Sequence, residues 1–185
     1  MRAFLAVPVG PPAHAAVAEE LARLRRRVAG VRWVDPATVH ITLHFFAELP
    51  EDRVSAVVEA VAAAAAVAPF PVRLGGLGSF PSASRARVLW RGLAEASAPL
   101  ERLAALVQAA VAGCGFAVDP RPFRAHVTLG RPDPGFDAGA WHDEVAAGED
   151  AAGFRADSVI LYESRGGRHL VRETIPLAGA GSSGR

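Results

Sequence analysis

Two short stretches, Val39-His40-Ile41-Thr42-Leu43 and Ala125-His126-Val127-Thr128-Leu129, constrain this chain more than any other part of it. Each sets a threonine two residues after a histidine inside a run of strand-favouring apolar residues. Alternate side chains of an extended chain share a face, so His40 and Thr42 are predicted to point one way and Val39, Ile41, Leu43 and Phe45 the other. The second copy repeats the arrangement, with His126 and Thr128 opposite Phe123, Val127 and Leu129. One such pair reads equally well as a half-exposed strand with a solvent-facing histidine. Two pairs in the same frame, nearly half a chain length apart, point to a bilobal α+β fold. Its duplicated lobes, with antiparallel sheets and outer helices, would face each other across a central cleft.

The segments between the motifs fit that plan. Arg2 to Val7 reads as a strand stopped by Pro8 and the Gly10-Pro11-Pro12 turn. Val17, Leu21, Leu24 and Val28 form one helical stripe ending at Gly30, and Arg25, Arg26 and Arg27 sit where they complement the helix dipole. A short strand is predicted over Val31 to Val34, the first motif strand over Val39 to Phe46, and a helix from Pro50 to Val67. Pro71 to Leu77 is read as a strand, Gly78 to Ser82 as a loop, and Ala86 to Arg91 as a further strand. Ser97 caps a helix whose Leu100, Leu103, Val107 and Val111 make an apolar stripe ending at Gly113. The second motif strand is placed at Phe123 to Gly130, and a short helix at Asp137 to Ala147. Ser158 to Tyr162 and His169 to Ile175 form a hairpin around Ser164-Arg165-Gly166-Gly167. Residues 1–178 are expected to be one bilobal domain and 179–185 a disordered Gly/Ser-rich tail.

Composition narrows the classes of function. The 185 residues are 51% hydrophobic with a mean hydropathy of +0.21, yet no apolar run approaches a membrane span. The N-terminal stretch lacks the apolar core of a signal peptide. A single cysteine, Cys114 at a helix end, forbids an internal disulfide and fits a reducing cytoplasm. A net charge of +1 provides no general polyanion-binding surface, although all 20 basic residues are arginine, so any phosphate contact is made by a guanidinium fork.

Two histidines facing a cleft can act as general base and general acid, because imidazole titrates near the working pH. In-line cleavage of a phosphodiester needs both without a metal: one takes a proton from the attacking oxygen, the other gives one to the leaving oxygen. A threonine hydroxyl one pleat repeat away, roughly 6.5–7 Å, suits the non-bridging oxygens where charge accumulates. Other candidates are weaker. His44 follows His40 by four residues, but the pair lies in a strand without a carboxylate or third ligand nearby, so it does not read as a zinc pair. His44 is expected instead to line the end of the cleft. His14, His142 and His169 read as surface residues. Arg124 shares the face of His126. Trp33, Phe46 and Tyr162 offer rings for base stacking, with core packing the default.

With those residues in view, the chain resembles the two-histidine phosphoesterases, and within them the bacterial RNA 2′,3′-cyclic phosphodiesterases, also described as 2′-5′ RNA ligases. The resemblance runs over about residues 1 to 177. It covers Arg2-Ala3-Phe4-Leu5-Ala6, Val31-Arg32-Trp33-Val34, both histidine motifs, Phe80-Pro81 with Arg87-Val88-Leu89-Trp90, and Leu161-Tyr162-Glu163-Ser164. It implies hydrolysis of a cyclic phosphate end to a 2′-phosphate, with reversible 2′-5′ ligation at the same site. By position, His40 would be the proton donor and His126 the proton acceptor, while Thr42, Thr128 and Arg131 would hold substrate. It implies no metal and no cofactor. Two departures stand out: Phe45-Phe46-Ala47 where the family has Phe-Leu-Gly, and Ala125 where it has proline. The expected partner is an RNA end such as a tRNA half, met by a cytoplasmic monomer. The alternatives are a small cyclic nucleotide, an ADP-ribose cyclic phosphate, or a non-catalytic RNA-end-binding module.

Overall fold

The strand-forming stretches of the chain pair into one antiparallel sheet. The computed structural model describes residues 1–95, 97–148 and 152–178, so the tail predicted to be disordered lies outside the described residues. The strands are β1 (Ala3–Pro8), β2 (Val31–Trp33), β3 (His40–Phe46), β4 (Phe70–Phe80), β5 (Val88–Leu93), β6 (Val127–Pro132), β7 (Gly153–Ala156), β8 (Ser158–Arg165) and β9 (Arg168–Pro176). Their spatial order is β7-β4-β5-β6-β3-β1-β8-β9, with β2 alongside β6. The α-helices are α1 (Ala13–Arg27), α2 (Val54–Ala64), α3 (Ala98–Gly113) and α4 (Ala138–Ala147).

The two motif strands are neighbours at the middle of the sheet. A single register pair, Ile41 opposite Val127, joins β3 to β6. Each of these residues lies between the histidine and threonine of its motif. Antiparallel pairing about this point sets His40 on the Thr128 side and Thr42 on the His126 side. The sheet thus divides about this joint into two four-stranded runs, β3-β1-β8-β9 and β6-β5-β4-β7.

Two of the described helices cross to the opposite half, while α2 packs on β9 and α4 on β4 within their own. Helix α1 follows β1 in the chain but packs against β2 and β7 of the other half, while α3 follows β5 but packs against β3. The predicted stripe of α1 is buried throughout, with Val17, Leu21, Leu24 and Val28 at most 2% exposed. Gly30, at φ +71°, makes the left-handed turn that ends the helical excursion. Arg91 of β5 donates through Nε to Glu20 of α1 at 2.7 Å and through Nη1 to the Gly75 carbonyl of β4. Both charged partners are buried, so this ion pair stitches helix to sheet and is costly to break from one side. On the other half, Ser97 Oγ accepts from the Leu100 N–H at 3.4 Å as predicted, and the α3 stripe of Leu100, Leu103, Val107 and Val111 is fully buried. Among the described residues no helix is long and apolar enough to cross a membrane.

Four local expectations are corrected. Strand β4 continues to Phe80, where Gly78 to Ser82 had the composition of a loop; a Cβ at Gly78 would overlap the Trp90 ring, and its absence lets the indole lie across the strand. The second motif strand begins at Val127, not Phe123, because Pro120 and Pro122 have no N–H to give a ladder and residues 115–126 pass as a loop. In β3 the register shifts between Leu5, opposite His44, and Ala6, opposite Thr42, leaving Leu43 as an extra residue. This bulge breaks strict alternation, so Phe45 is 47% exposed and Phe46 is buried. Strand β7, four residues long, carried no pattern that distinguished it from a loop.

Candidate active site

The two motif histidines are held in the same way. His40 Nδ1 lies 2.6 Å from the Thr38 carbonyl, and His126 Nδ1 lies 2.6 Å from the Arg124 carbonyl. A carbonyl only accepts, so each Nδ1 carries the proton and donates it. In the neutral ring this leaves Nε2 as the lone-pair nitrogen, the one available to a reacting group. Each motif therefore contains its own orienting acceptor, two residues before the histidine.

Around that common frame the surroundings differ. The His40 ring stacks on Phe4 at 4.8 Å, with Tyr162 at 5.9 Å and His169 edge-on at 5.4 Å. Burial in this ring cluster pushes the His40 pKa from 6.5 down to about 4; the Thr38 carbonyl opposes the shift, and the neighbouring His169 and His126 add to it. His126 meets Phe80 edge-on at 4.9 Å, and the Arg124 guanidinium lies over that same Phe80 ring at 4.9 Å. Burial also lowers the His126 pKa, opposed by its carbonyl bond and reinforced by the Arg124 charge.

Beside His126 opens a cavity of about 930 Å³, whose wall includes Thr42, Phe80, Arg87, Arg124 and Arg131. Of the residues named from sequence, His126, Thr42, Arg131, Arg124 and His44 all border this space. Thr128 lies on the other side of the joint, paired with Trp90 of β5. His44 lines the cavity as expected, with its Nε2 buried and unpartnered and its ring edge-on to Phe46. Phe46 and Trp33 serve packing, against Phe116 and Trp141 respectively. His142 is exposed on α4 and His14 is half-buried on α1.

His169 is the main correction. Read from sequence as a surface residue, it packs edge-on against Phe4 at 4.8 Å and against His40, with its Nδ1 buried. Its hairpin carries it there: β9 pairs with β8 and sets His169 opposite Ser164, bringing the ring to the Phe4–Tyr162 face. Phe4 and Phe80 were also missed as site residues, since both sit in segments that the apolar pattern assigns to the core or to a loop. Among the described residues no group of three or more His, Cys, Asp or Glu is placed to hold a metal ion.

Two imidazoles with Nδ1 tied to a carbonyl, one opening β3 and one just ahead of β6, each two residues before a threonine and close enough for their charges to interact, make the arrangement of a two-histidine phosphoesterase. The chain belongs to the 2′-5′ RNA ligase superfamily, whose profile matches residues 11–168. It is 33% identical over 183 residues to an RNA 2′,3′-cyclic phosphodiesterase of Geobacillus stearothermophilus, covering 96% of this chain and 57% of the length of that relative. It is 36% identical over 131 residues to an RNA 2′,3′-cyclic phosphodiesterase of Archaeoglobus fulgidus, covering 71% of this chain and 72% of the other. Among solved structures, TT0787 of Thermus thermophilus matches with a TM-score of 0.81 at 26% identity, over 98% of this chain and 100% of that one. LigT of E. coli shares the fold, with a TM-score of 0.74 at 21% identity over 96% and 97% of the two chains.

Proposed function

We propose that this protein hydrolyses 2′,3′-cyclic phosphate ends of RNA to 2′-phosphates by metal-independent histidine catalysis. The observation that carries the reading is the paired Nδ1–carbonyl bonds, which fix both imidazoles in the tautomer that general acid/base chemistry needs. A water oxygen attacks phosphorus as the P–O3′ bond breaks. His126 Nε2 accepts the water proton, His40 Nε2–H delivers a proton to the departing 3′ oxygen, and Thr42 and Thr128 donate to the non-bridging oxygens. Arg131 provides a guanidinium at the cavity wall. Ligation through a 2′-5′ linkage is the same displacement with an RNA 5′-hydroxyl in place of water: the 5′ oxygen bonds to phosphorus as P–O3′ breaks, and cleavage of that linkage is the reverse. Residues 1–178 act here as one bilobal unit, working as a monomer in the cytoplasm, with cleaved tRNA halves among its substrates. The names of the Geobacillus and Archaeoglobus relatives support the substrate class.

One observation favours the reverse assignment of the histidines. His40, with its pKa near 4, is the imidazole more firmly held neutral, which suits a base. A bound anionic phosphate raises the proton affinity of both rings, so the apo values alone do not assign the roles. A phosphodiester with a nitrophenolate leaving group separates the two readings, because such a group departs without an acid. The donor reading expects His40→Ala to retain turnover of this substrate and His126→Ala to lose it; the opposite pattern reverses the roles. The reaction itself is tested by incubating EDTA-treated protein with cyclic-phosphate-ended RNA and locating the product phosphate. A 2′-phosphate is expected. Binding without turnover would leave an RNA-end-binding module instead.

A further inference from the structure

The charge of this chain is unevenly spent. Its net charge is only +1, and most arginines near a carboxylate are paired: Arg23 and Arg27 with Glu144, Arg32 with Asp133, Arg165 and Arg172 with Glu163. The cavity beside His126 departs from that pattern. Four arginines line it, Arg87, Arg121, Arg124 and Arg131, against one carboxylate, Asp119. Asp119 is taken by Arg121, whose Nε lies 2.9 Å from Oδ1. Arg87, Arg124 and Arg131 form no ion pair among the described residues, so three cationic forks border one open space without a counter-charge. The His40 side differs, with the rings of Phe4, Tyr162 and His169 packed around the imidazole.

One of the forks is also pre-placed. Arg124 is held over the Phe80 ring, Phe80 is held edge-on to His126, and the Arg87 N–H donates to the Phe80 carbonyl at 2.8 Å. The Arg124 fork is therefore anchored through one phenylalanine to the motif histidine, and the Arg87 backbone is tied to that same phenylalanine. Buried His44 adds a ring nitrogen without a partner at the same wall. Like charges concentrated without compensation raise the local potential and reward an anion, and a guanidinium fork matches phosphate geometry. The volume, about 930 Å³, exceeds what one phosphate group needs.

We propose that this cavity is a second phosphate subsite, in which Arg87 and Arg124 bind the 5′-phosphate, or the next backbone phosphate, of the nucleotide whose cyclic phosphate reacts. The proposal rests on the phosphodiesterase reading and sharpens it. The protein selects a nucleotide phosphorylated on both sides of its ribose, as any RNA 3′ end is, over a bare cyclic nucleoside phosphate.

The test compares adenosine 2′,3′-cyclic phosphate with and without a 5′-phosphate. The added phosphate is expected to raise kcat/KM at least tenfold at low ionic strength, mainly through KM, and added salt should shrink the gain. In the Arg87→Ala/Arg124→Ala double variant the ratio of the two kcat/KM values should fall towards one; both side chains are exposed, so the fold is not at stake. Equal kcat/KM values in the wild type, or a gain that survives the double substitution, would overturn the subsite. If neither nucleotide turns over, the phosphodiesterase reading fails by itself. Calorimetry with the same pair then still decides the subsite: tighter binding of the 5′-phosphorylated nucleotide, lost in the double variant, supports it, and equal Kd values overturn it.

Discussion

His40 and His126 enter the cleft on the same three-residue frame, with the same carbonyl bond to the same relative position, yet they meet different neighbourhoods. His40 is enclosed by rings, and His126 stands at the mouth of an arginine-lined cavity. The shared frame fixes geometry, so both rings present Nε2. The neighbours fix proton affinity, because a desolvated ring among aromatics resists charge more than one near the open side. A symmetric motif is thereby converted into two unequal groups, and in-line displacement needs such inequality, since one ring must start neutral and the other charged.

That comparison can be broken most directly at the rings themselves. His40→Ala and His126→Ala should each lower kcat on cyclic-phosphate RNA by about 10²–10⁴-fold, with circular dichroism unchanged; a variant that keeps full activity removes its histidine from the chemistry. The threonines come next. Thr42→Val and Thr128→Val should each cost about 10²-fold in kcat with KM little changed, as loss of one donor to a charge-bearing oxygen does. A much larger loss at one than at the other would show that the asymmetry extends to the hydroxyls.

Stability should report the difference between the two rings as well. Below pH 6.5 the unfolded chain takes up a proton at residue 40, while the folded chain refuses it until about pH 4. Unfolding therefore absorbs a proton across that window, and folded-state stability falls as the pH drops through it. The share of His40 is about 3 kcal/mol between pH 6.5 and 4, on the order expected for such a shift. Urea unfolding at pH 7 and pH 4 should show this loss, and His40→Gln should flatten it. An unchanged slope in that variant would place the low proton affinity elsewhere. The smallest effect expected is at His169. In His169→Phe the ring contacts stay but a competing positive charge goes, so the limb of the pH–rate profile set by His40 should move up by less than one unit. No movement would make His169 a packing residue only.

The parts of the molecule legible in the sequence are those governed by a local period. The stripe Val17-Leu21-Leu24-Val28, the Ser97 cap and the His-x-Thr alternation all rest on spacing within one element, and each appears as expected. His44 borders the cavity too, but the Leu43 bulge sets it opposite Leu5, so its place there comes with the bulge and not from strict alternation with His40 and Thr42. What spacing cannot carry is register between distant strands. His169 reaches His40 only because β9 pairs with β8, β8 with β1, and β1 with β3, a chain of three pairings with no local signature. Arg124 likewise reaches the Phe80 ring only through the loop at 115–126, while Arg87 meets the Phe80 backbone across the β4–β5 hairpin.

The exchange of helices between the two halves has a consequence for how this protein comes into being. No stretch of chain leaving the ribosome can finish one half alone, since α1 waits for β5 and β7, and β3 waits for α3. The contact of Ile41 with Val127 is long-range, and β1 must reach still further along the chain to pair with β8, so both joints are slow to close. Both imidazoles hang on the first of these. The two motifs therefore come together only with the completed fold.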